Sequence, residues 1–300
     1  MAQVTRIYTD LDGTMLAPGG RLLSNHTGEP STALAEELVA LKQAGIEVVI
    51  VTGRDAEQGN ELLRILNLDT FIGEIGSFRL DGFGALGRPR YLLGEWDGLV
   101  LAPGLAPGEL PPDMTPYDLV EQSGVMERLF AAFPGRLEPH FFFRVRSRIS
   151  HTLRGYVTAE EAAAFLANER LPLTLIDNGI ISPQIHTLSR ADCPEIHVYH
   201  LTPRGSSKAA AVHDDIVMHD LDPAQTLAIG DAPGDVEMGD YAGVLVVVAN
   251  ALRSSVVRDQ LASRLDQGLP TFITEGSTAD GWVEFAQALL RARQDSHLDR

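Results

Sequence analysis

The sequence predicts an α/β fold in which a parallel sheet is interrupted by an inserted α+β domain. Segments typical of strands and helices alternate from the N-terminus to about residue 76, a proline-rich stretch breaks the alternation, and it resumes after Thr202. Strands that alternate with helices are typical of parallel sheets with right-handed crossovers. We therefore expect one α/β core domain in two pieces, residues 1–85 and 203–300, around an inserted domain of residues 86–202.

The first piece of the core contains three predicted strands and two predicted helices. Ser31 or Thr32 can cap the first helix, and Gly45 is placed to end it. The run "IEVVIV" is rich in β-branched residues, which is typical of a strand covered on both faces. In chain order the predicted elements are a strand over 4–10, a helix over 31–45, a strand over 46–51, a helix over 55–68 and a strand over 70–76.

The first third of the predicted insertion contains five prolines between residues 103 and 116, which no central helix or strand would tolerate. Thr158 and Glu161 have the spacing of a capping box at the start of a helix. Alternating apolar residues predict the strands around it. In chain order we expect a helix over 117–133, a strand over 140–150, a helix over 159–170 and strands over 171–179 and 195–201.

The second piece of the core returns to the strand and helix alternation. Its strands are short apolar runs. The predicted elements are a helix over 206–217, a strand over 225–231, a short helix over 235–243, a strand over 243–251 and a terminal helix over 282–294.

Composition narrows the class of protein. The 300 residues carry a net charge of −17, which argues against nucleic acid or an anionic membrane surface as a partner. Cys193 is the only cysteine, so the chain cannot form an internal disulfide or a cysteine-based zinc site. The N-terminus lacks a signal-peptide pattern and no run of about 18 apolar residues occurs. We expect a cytoplasmic protein.

Four short motifs lie at the ends of predicted strands or at the start of a helix. The carboxyl ends of parallel strands form the ligand crevice of an open α/β sheet, so Asp10, Thr52 and Asp231 are expected to converge there. "DLDGT" alone would also fit a simple turn, because Asp and Gly are common turn residues. The presence of all four motifs in this order favours a functional site. The motifs are "DLDGT" at residues 10–14, "TGR" at 52–54, Lys208 and "GDAPGD" at 230–235.

The chemistry of these motifs is that of a phosphate site. Asp10, Asp12, Asp231 and Asp235 offer the carboxylate oxygens that a hard cation such as Mg²⁺ prefers. Lys208 adds a positive charge in the first turn of a helix, where free N–H groups also favour anions. The "TGR" motif adds a hydroxyl and backbone donors. A phosphoryl transition state needs this kind of charge neutralisation and positioning.

In the ordered set DxDGT, T-G-R, Lys and GDxxxD, the chain resembles the haloacid dehalogenase-like (HAD) hydrolase superfamily. The insertion between the second and third motifs is similar to that of the type IIB branch, which is rich in sugar phosphatases. The resemblance covers residues 1–85 and 203–300 and implies a Rossmann-like core with an inserted α+β cap. It also implies a Mg²⁺-dependent phosphatase that acts on a small phosphorylated metabolite, such as a sugar phosphate or a sugar-linked phosphoglycerate.

The resemblance implies a role for each motif residue. Asp10 would be the nucleophile that forms an aspartyl-phosphate, and Asp12 would be the general acid and base. Thr52 and Lys208 would bind the phosphoryl group, with Gly53 and Arg54 beside them. The implied Mg²⁺ ligands are Asp10, the backbone carbonyl of Asp12, Asp231 and Asp235.

One position departs from the family pattern, and the insertion carries no motif. Gly234 stands where the last motif commonly has Asn, which bears on rate and substrate more than on the type of reaction.

In the insertion, Arg144, Arg146 and Arg148 would share one face of a strand and could bind a second anionic group of the substrate. The simpler interpretation, which we favour, is that these three arginines lie on a solvent-exposed face of the strand. We interpret His186, His197 and His200 as ordinary polar residues.

Two other functions remain open at this point. A phosphomutase would use the same aspartyl-phosphate but transfer the phosphoryl group to another sugar instead of water. A catalytically inactive protein that retains the pocket to bind a metabolite is the other alternative, although the pairing of Asp10 with Asp12 argues against it.

Overall fold

The computed structural model describes residues 3–85, 89–140, 148–181 and 186–298. The strands in these residues are β1 (Arg6–Thr9), β2 (Glu47–Val51), β3 (Thr70–Gly73), β4 (Phe78–Asp81), β5 (Arg90–Tyr91), β6 (Leu137–Pro139), β7 (His151–Gly155), β8 (Leu173–Ile181), β9 (Ile196–Pro203), β10 (Thr226–Gly230), β11 (Val244–Val247) and β12 (Thr271–Ile273). The α-helices are α1 (Ala33–Gln43), α2 (Ala56–Leu66), α3 (Pro116–Ser123), α4 (Val125–Ala132), α5 (Ala159–Leu166), α6 (Lys208–Met218), α7 (Pro233–Met238), α8 (Ser255–Asp266) and α9 (Thr278–Leu298).

The described residues form two sheets, and the larger has the strand order β12-β11-β10-β1-β2-β3-β4-β5. Its strands from β12 to β3 are parallel, and β4 and β5 add antiparallel strands at one edge. Alternate residues of β1 belong to different hydrophobic clusters: Ile7 to one that includes residues of α1, α2 and α9, and Tyr8 to one that includes residues of α6, α7 and α8. A parallel sheet covered by helices on both faces confirms the predicted α/β fold.

The second sheet is antiparallel, in the order β6-β7-β9-β8, and is formed by chain that lies between the two pieces of the core. Together with α3, α4 and α5 it gives this segment the predicted α+β character. We call the part of it between residues 116 and 203 the cap. Residues 90 and 91, within the predicted insertion, form the edge strand of the larger sheet.

Some elements differ from the sequence prediction. The helix expected over 117–133 is two helices, because Gly124 adopts a left-handed conformation with φ of 69° and ends α3. The strand expected over 70–76 ends at Gly73, and residues 74–76 all have positive φ angles. The strands β4, β5, β6, β7 and β12 and the helix α8 had no counterpart in the prediction. Of the strand expected over 140–150, residues 141–147 lie outside the described residues, and residues 140 and 148–150 are not in a strand. The capping box of Thr158 and Glu161 is confirmed.

A buried ionic cluster fixes α6 against the larger sheet. The carboxylate of Asp215, in α6, accepts a hydrogen bond from the Tyr8 hydroxyl at 2.6 Å and forms an ion pair with Arg6 Nη1 at 2.9 Å. It also forms an ion pair with Arg79 of β4. All four side chains are buried. Because Lys208 begins the same helix, this cluster also sets where the lysine lies.

We expect Asp215→Ala to lower the free energy of unfolding by about 3–5 kcal/mol, because it leaves Arg6 and Arg79 buried near one another without their shared carboxylate. Urea unfolding of wild type and variant measures the difference. Asp214→Ala is the matched control, since Asp214 is the preceding residue of α6 and its side chain is 54% exposed. Equal losses in the two variants would contradict a stabilising role for the cluster.

Among the helices of the described residues, none has both the length and the apolar character needed to cross a bilayer.

Candidate active site

Asp10 lies directly after β1, at the carboxyl edge of the larger sheet. Its backbone N–H donates to the carbonyl of Ile229 in β10 at 2.9 Å, which holds the turn against the neighbouring strand. The side chain is 5% exposed, and its Oδ1 accepts a hydrogen bond from Lys208 Nζ at 2.6 Å. No group among the described residues donates to Oδ2, although this atom is buried. One oxygen of Asp10 is thus held by the lysine and the other is left for a ligand.

Lys208 is the first residue of α6, and Ser207 caps the helix by accepting a hydrogen bond from the N–H of Ala210. Its Nζ bridges two carboxylates, Asp10 Oδ1 at 2.6 Å and Asp235 Oδ1 at 2.7 Å. Burial alone would lower the pKa of Lys208, but the two carboxylates outweigh burial and raise it above its ordinary value. The ammonium group therefore stays charged at neutral pH.

Asp231 and Asp235 belong to the loop after β10 and the start of α7. Asp231 accepts hydrogen bonds from Thr14 Oγ1 and Asn250 Nδ2, both at 2.9 Å. Asp235 Oδ2 accepts the backbone N–H groups of Asp231 at 3.0 Å and of Ala232 at 2.9 Å. The loop is therefore folded around its own last carboxylate.

The carboxylates of this cluster are electrostatically frustrated without a cation. Burial raises the pKa of Asp10 to about 8, Lys208 opposes this effect, and Asp235 and Asp231 add to it. Burial, with Asp235, also raises the pKa of Asp231 to about 6. Like charges this close favour either a proton or a cation between them.

The residues present fit a divalent cation. Asp10, Asp231 and Asp235 each place one carboxylate oxygen within 4.8 Å of the others, and Asp10 Oδ2 lacks a hydrogen-bond donor among the described residues. Gly13 keeps the space open, because a Cβ there would lie 2.8 Å from Asp231 Oδ2. A donor set made only of oxygen atoms suits a hard cation.

Asp12 lies two residues after Asp10 but has a different environment. Its carboxylate is exposed and forms a two-point ion pair with Arg54, with Nε at 2.7 Å from Oδ2 and Nη2 at 2.6 Å from Oδ1. This geometry joins the first and second motifs. Both residues line the cavity described below, so the pair lies beside Asp10 and not within the buried cluster.

Thr52 and Gly53 form the loop after β2, and we call residues 52–54 the β2 loop. Thr52 is buried; its N–H donates to Ile72 and its carbonyl accepts from the N–H of Ile75, both at 3.0 Å. The chain after β3 is therefore folded back onto the β2 loop. This contact accounts for the positive φ angles of residues 74–76. Such backbone strain persists only where surrounding contacts impose it.

Glu74 connects the β2 loop to the cap. Its N–H donates to the carbonyl of Arg54 at 2.9 Å. Its buried carboxylate accepts three backbone N–H groups of the cap, from Arg148 at 2.9 Å, Ile149 at 3.0 Å and Ser150 at 2.7 Å. Burial raises the pKa of Glu74, and these three donors oppose the shift. The interface between core and cap thus has a specific polar anchor.

A cavity of about 1090 Å³ lies between the larger sheet and the cap. Its core side includes Asp10, Thr52 and Lys208, so the buried cluster opens into it. The cap contributes polar side chains from α3, from β7, β8 and β9, and from the residues that follow β6 and precede β7. These cap residues include Tyr117, His140, Ser150, Thr152, Asp177, Asn178 and His200.

Comparison with known proteins agrees with this geometry. A family model described as haloacid dehalogenase-like hydrolase matches residues 7–78 and 183–256, and so contains all four motifs. The chain belongs to the haloacid dehalogenase-like hydrolases. This confirms the resemblance inferred from the motifs.

Individual relatives of this hydrolase point the same way. It is 25% identical over 280 residues to a phosphoglycolate phosphatase of Methanoculleus marisnigri, covering 93% of each chain. Among solved structures it is similar to Thermoplasma acidophilum 0175, with a TM-score of 0.59, 16% identity, and 97% and 99% of the two chains covered. It is also similar to the HAD subclass IIB sugar phosphatase BT4131, with a TM-score of 0.57, 14% identity, and 95% and 98% covered. The chain therefore has a fold similar to that of these two proteins over nearly its whole length.

The structure brings the four core motifs of this hydrolase together. The three cap arginines are a separate case, because only Arg148 is among the described residues. Arg148 has its guanidinium 3.5 Å from Glu57 Oε1 in α2. Arg144 and Arg146 lie outside the described residues. Gly234 faces open space, because a Cβ at this position would meet no atom of the described residues within 4 Å, and it lines a second cavity of about 300 Å³.

Two residues of this site, Asn250 and Glu74, were not predicted from the sequence. Asn250 follows β11 and donates to both the Gly13 carbonyl and Asp231 Oδ2 at 2.9 Å. The prediction placed Asn250 inside a strand over 243–251, whereas β11 ends at Val247; a polar amide at the end of this apolar run was the signal that could have identified it. Glu74 had no such signal, because its partners are backbone N–H groups more than 70 residues away.

Proposed function

We propose that this protein is a Mg²⁺-dependent phosphatase that hydrolyses a small phosphorylated metabolite, such as a sugar phosphate or a sugar-linked phosphoglycerate. The observation that carries the proposal is the buried carboxylate of Asp10, with one oxygen on Lys208 and the other unpartnered among the described residues. It opens into a cavity large enough for a metabolite. Relatives named phosphoglycolate phosphatase and sugar phosphatase support a phosphate ester as substrate.

In the proposed reaction Asp10 attacks the phosphorus, and the bond from phosphorus to the ester oxygen breaks. Asp12 gives its proton to the departing alcohol, and then takes a proton from the water that attacks the aspartyl-phosphate. This second step frees inorganic phosphate and restores Asp10. Asp12 exchanges its ion pair with Arg54 for these contacts, because the pair occupies both of its oxygens.

The remaining core residues bind and neutralise charge. Thr52, Gly53 and Arg54 would bind phosphoryl oxygens, and Lys208 together with the cation would keep Asp10 ionised. Asp10, the Asp12 carbonyl, Asp231 and Asp235 would hold Mg²⁺. When bound, the ion supplies positive charge that offsets the charge of the carboxylates and of the phosphoryl group.

The partner in this proposal is the small metabolite alone, with neither nucleic acid nor a membrane surface, in a cytoplasmic protein. The net charge of −17 supports the exclusion of polyanionic partners. The cap would cover the phosphoryl intermediate and contact the leaving group.

The test is release of inorganic phosphate from a panel of sugar phosphates, glycerol phosphate and phosphoglycolate, with Mg²⁺, with a chelator, and after Mg²⁺ is restored. We expect release with Mg²⁺, loss of it with the chelator and recovery afterwards. Phosphate transfer that requires an added sugar would identify a phosphomutase. Tight metabolite binding without release or transfer would identify the inactive binding protein.

A further inference from the structure

Two side chains of the cap meet the β2 loop at Gly53. A Cβ on Gly53 would lie 3.0 Å from Asn178 Nδ2 and 3.2 Å from His200 Nε2. Both nitrogen atoms therefore lie next to the loop that carries Thr52, and both residues line the cavity that contains Asp10. A side chain on Gly53 would displace them, so glycine is needed here for close approach of the cap.

His200 is fixed as an uncharged group. It lies in β9 with 4% of its surface exposed, and its Nδ1 is 3.1 Å from the hydroxyl of Ser150. Ser150 is in turn anchored to Glu74 through its N–H. Burial, reinforced by the positive charge of Lys208, lowers the pKa of His200 to about 3. The ring therefore presents a neutral Nε2 to the cavity.

Asn178 is placed by an irregularity in β8. The register with β9 shifts between Asp177 and Ile180, where Gly179 has a φ of 100° and donates its N–H to Asp177 Oδ1 at 2.8 Å. Bulges of this kind redirect side chains next to functional sites. Within the part of the chain that the structure describes, the amide of Asn178 has no hydrogen-bond partner, so it is available to a ligand.

We propose that Asn178 and His200 form a subsite for a hydroxyl group of the substrate, next to the phosphate ester. The inference rests on the proposed phosphatase function and gives it a substrate class: esters with a hydroxyl, and not a carboxylate, close to the phosphate. A hydroxyl both donates and accepts, so it can pair with a neutral imidazole and an amide in either orientation. A carboxylate only accepts and is bound best by a cation.

The charges around the cavity support a neutral ligand at this subsite. Arg54 is paired with Asp12, and Lys208 is paired with two carboxylates. Asp177, adjacent to Asn178, is paired with His197 on the cap wall, with His197 Nδ1 2.6 Å from Asp177 Oδ2. Arg253 lines the cavity from the core and has no ion-pair partner among the described residues, so it is the competing site for a carboxylate.

Three phosphate esters separate these possibilities when they are assayed with Mg²⁺. Glycerol 3-phosphate has a hydroxyl on the carbon next to the ester carbon, phosphoglycolate has a carboxylate there, and p-nitrophenyl phosphate has neither. For Asn178→Ala and for His200→Ala we expect the kcat/KM of glycerol 3-phosphate, relative to that of p-nitrophenyl phosphate, to fall about fivefold to tenfold. Using this ratio separates substrate selectivity from a general loss of active protein.

Asn168→Ala is the matched control, because the Asn168 side chain is exposed and bonds only to Ala164 of its own helix end among the described residues. Its ratio should equal that of wild type. Unchanged ratios in both subsite variants would overturn the inference and leave the phosphatase proposal standing. A higher wild-type kcat/KM for phosphoglycolate than for glycerol 3-phosphate, lost in Arg253→Ala, would also overturn it. No phosphate release from any ester would overturn both.

Discussion

Asp10→Asn is expected to lower kcat on the order of 10⁴-fold or more, since an amide cannot act as the phosphoryl acceptor. Asn has nearly the same shape, and its carbonyl oxygen can still accept the hydrogen bond that Lys208 donates to Asp10. The fold of the site should therefore persist while the reaction is lost. Initial rates of phosphate release with the best substrate of the panel, at saturating Mg²⁺, measure the effect.

The matched control for Asp10 is Asp69→Asn, the same chemical change at an exposed position whose only described ion pair is with Lys42 at 3.8 Å. It should retain the wild-type kcat. A kcat for Asp10→Asn within about tenfold of wild type would remove Asp10 as the nucleophile, because a residue that forms the covalent bond cannot be replaced at so small a cost.

Lys208→Met is expected to lower kcat about a hundredfold to a thousandfold, the usual loss when one preorganised charge is removed from a transition state. Methionine has a similar length but leaves Asp10 and Asp235 facing one another without the ammonium group between them. Substrate and Mg²⁺ can still bind, so some activity should remain. Steady-state kinetics over a range of Mg²⁺ concentrations test this, and the variant should need more Mg²⁺ or show weaker binding of phosphate.

The chain contains only one other lysine, Lys42, which makes the control simple. Lys42 is half exposed, and its Nζ donates to the carbonyl of Asn67 at 2.6 Å. Lys42→Met should leave kcat and the Mg²⁺ dependence unchanged. If Lys208→Met behaved like Lys42→Met, the bridge between the two carboxylates would have no part in the reaction.

The core was predictable because its signals are local. Each strand of the parallel sheet is an apolar run, and parallel strands end at a common edge, so the residues after β1, β2 and β10 had to meet. Asp10, Thr52 and Asp231 follow from that rule alone. The short edge strands β5 and β12 have too few residues to form a pattern, and α8 is a largely polar helix, which explains why these elements were missed.

The cap was less predictable because its contacts are not local. Glu74 binds backbone groups of residues 148–150, and backbone groups carry no sequence signature. His200 was interpreted as an ordinary polar residue, since its proximity to Gly53 depends on how the second sheet lies over the first. Asn178 depends on a register shift that only the paired strands define.

The most direct test of the account is to find the phosphoryl group itself. Wild-type protein is mixed with substrate and Mg²⁺, quenched in acid during turnover, digested and analysed by mass spectrometry. The account predicts one added phosphoryl group on the peptide that contains Asp10, and none on that peptide in Asp10→Asn. A phosphoryl group on a different residue during turnover would contradict it.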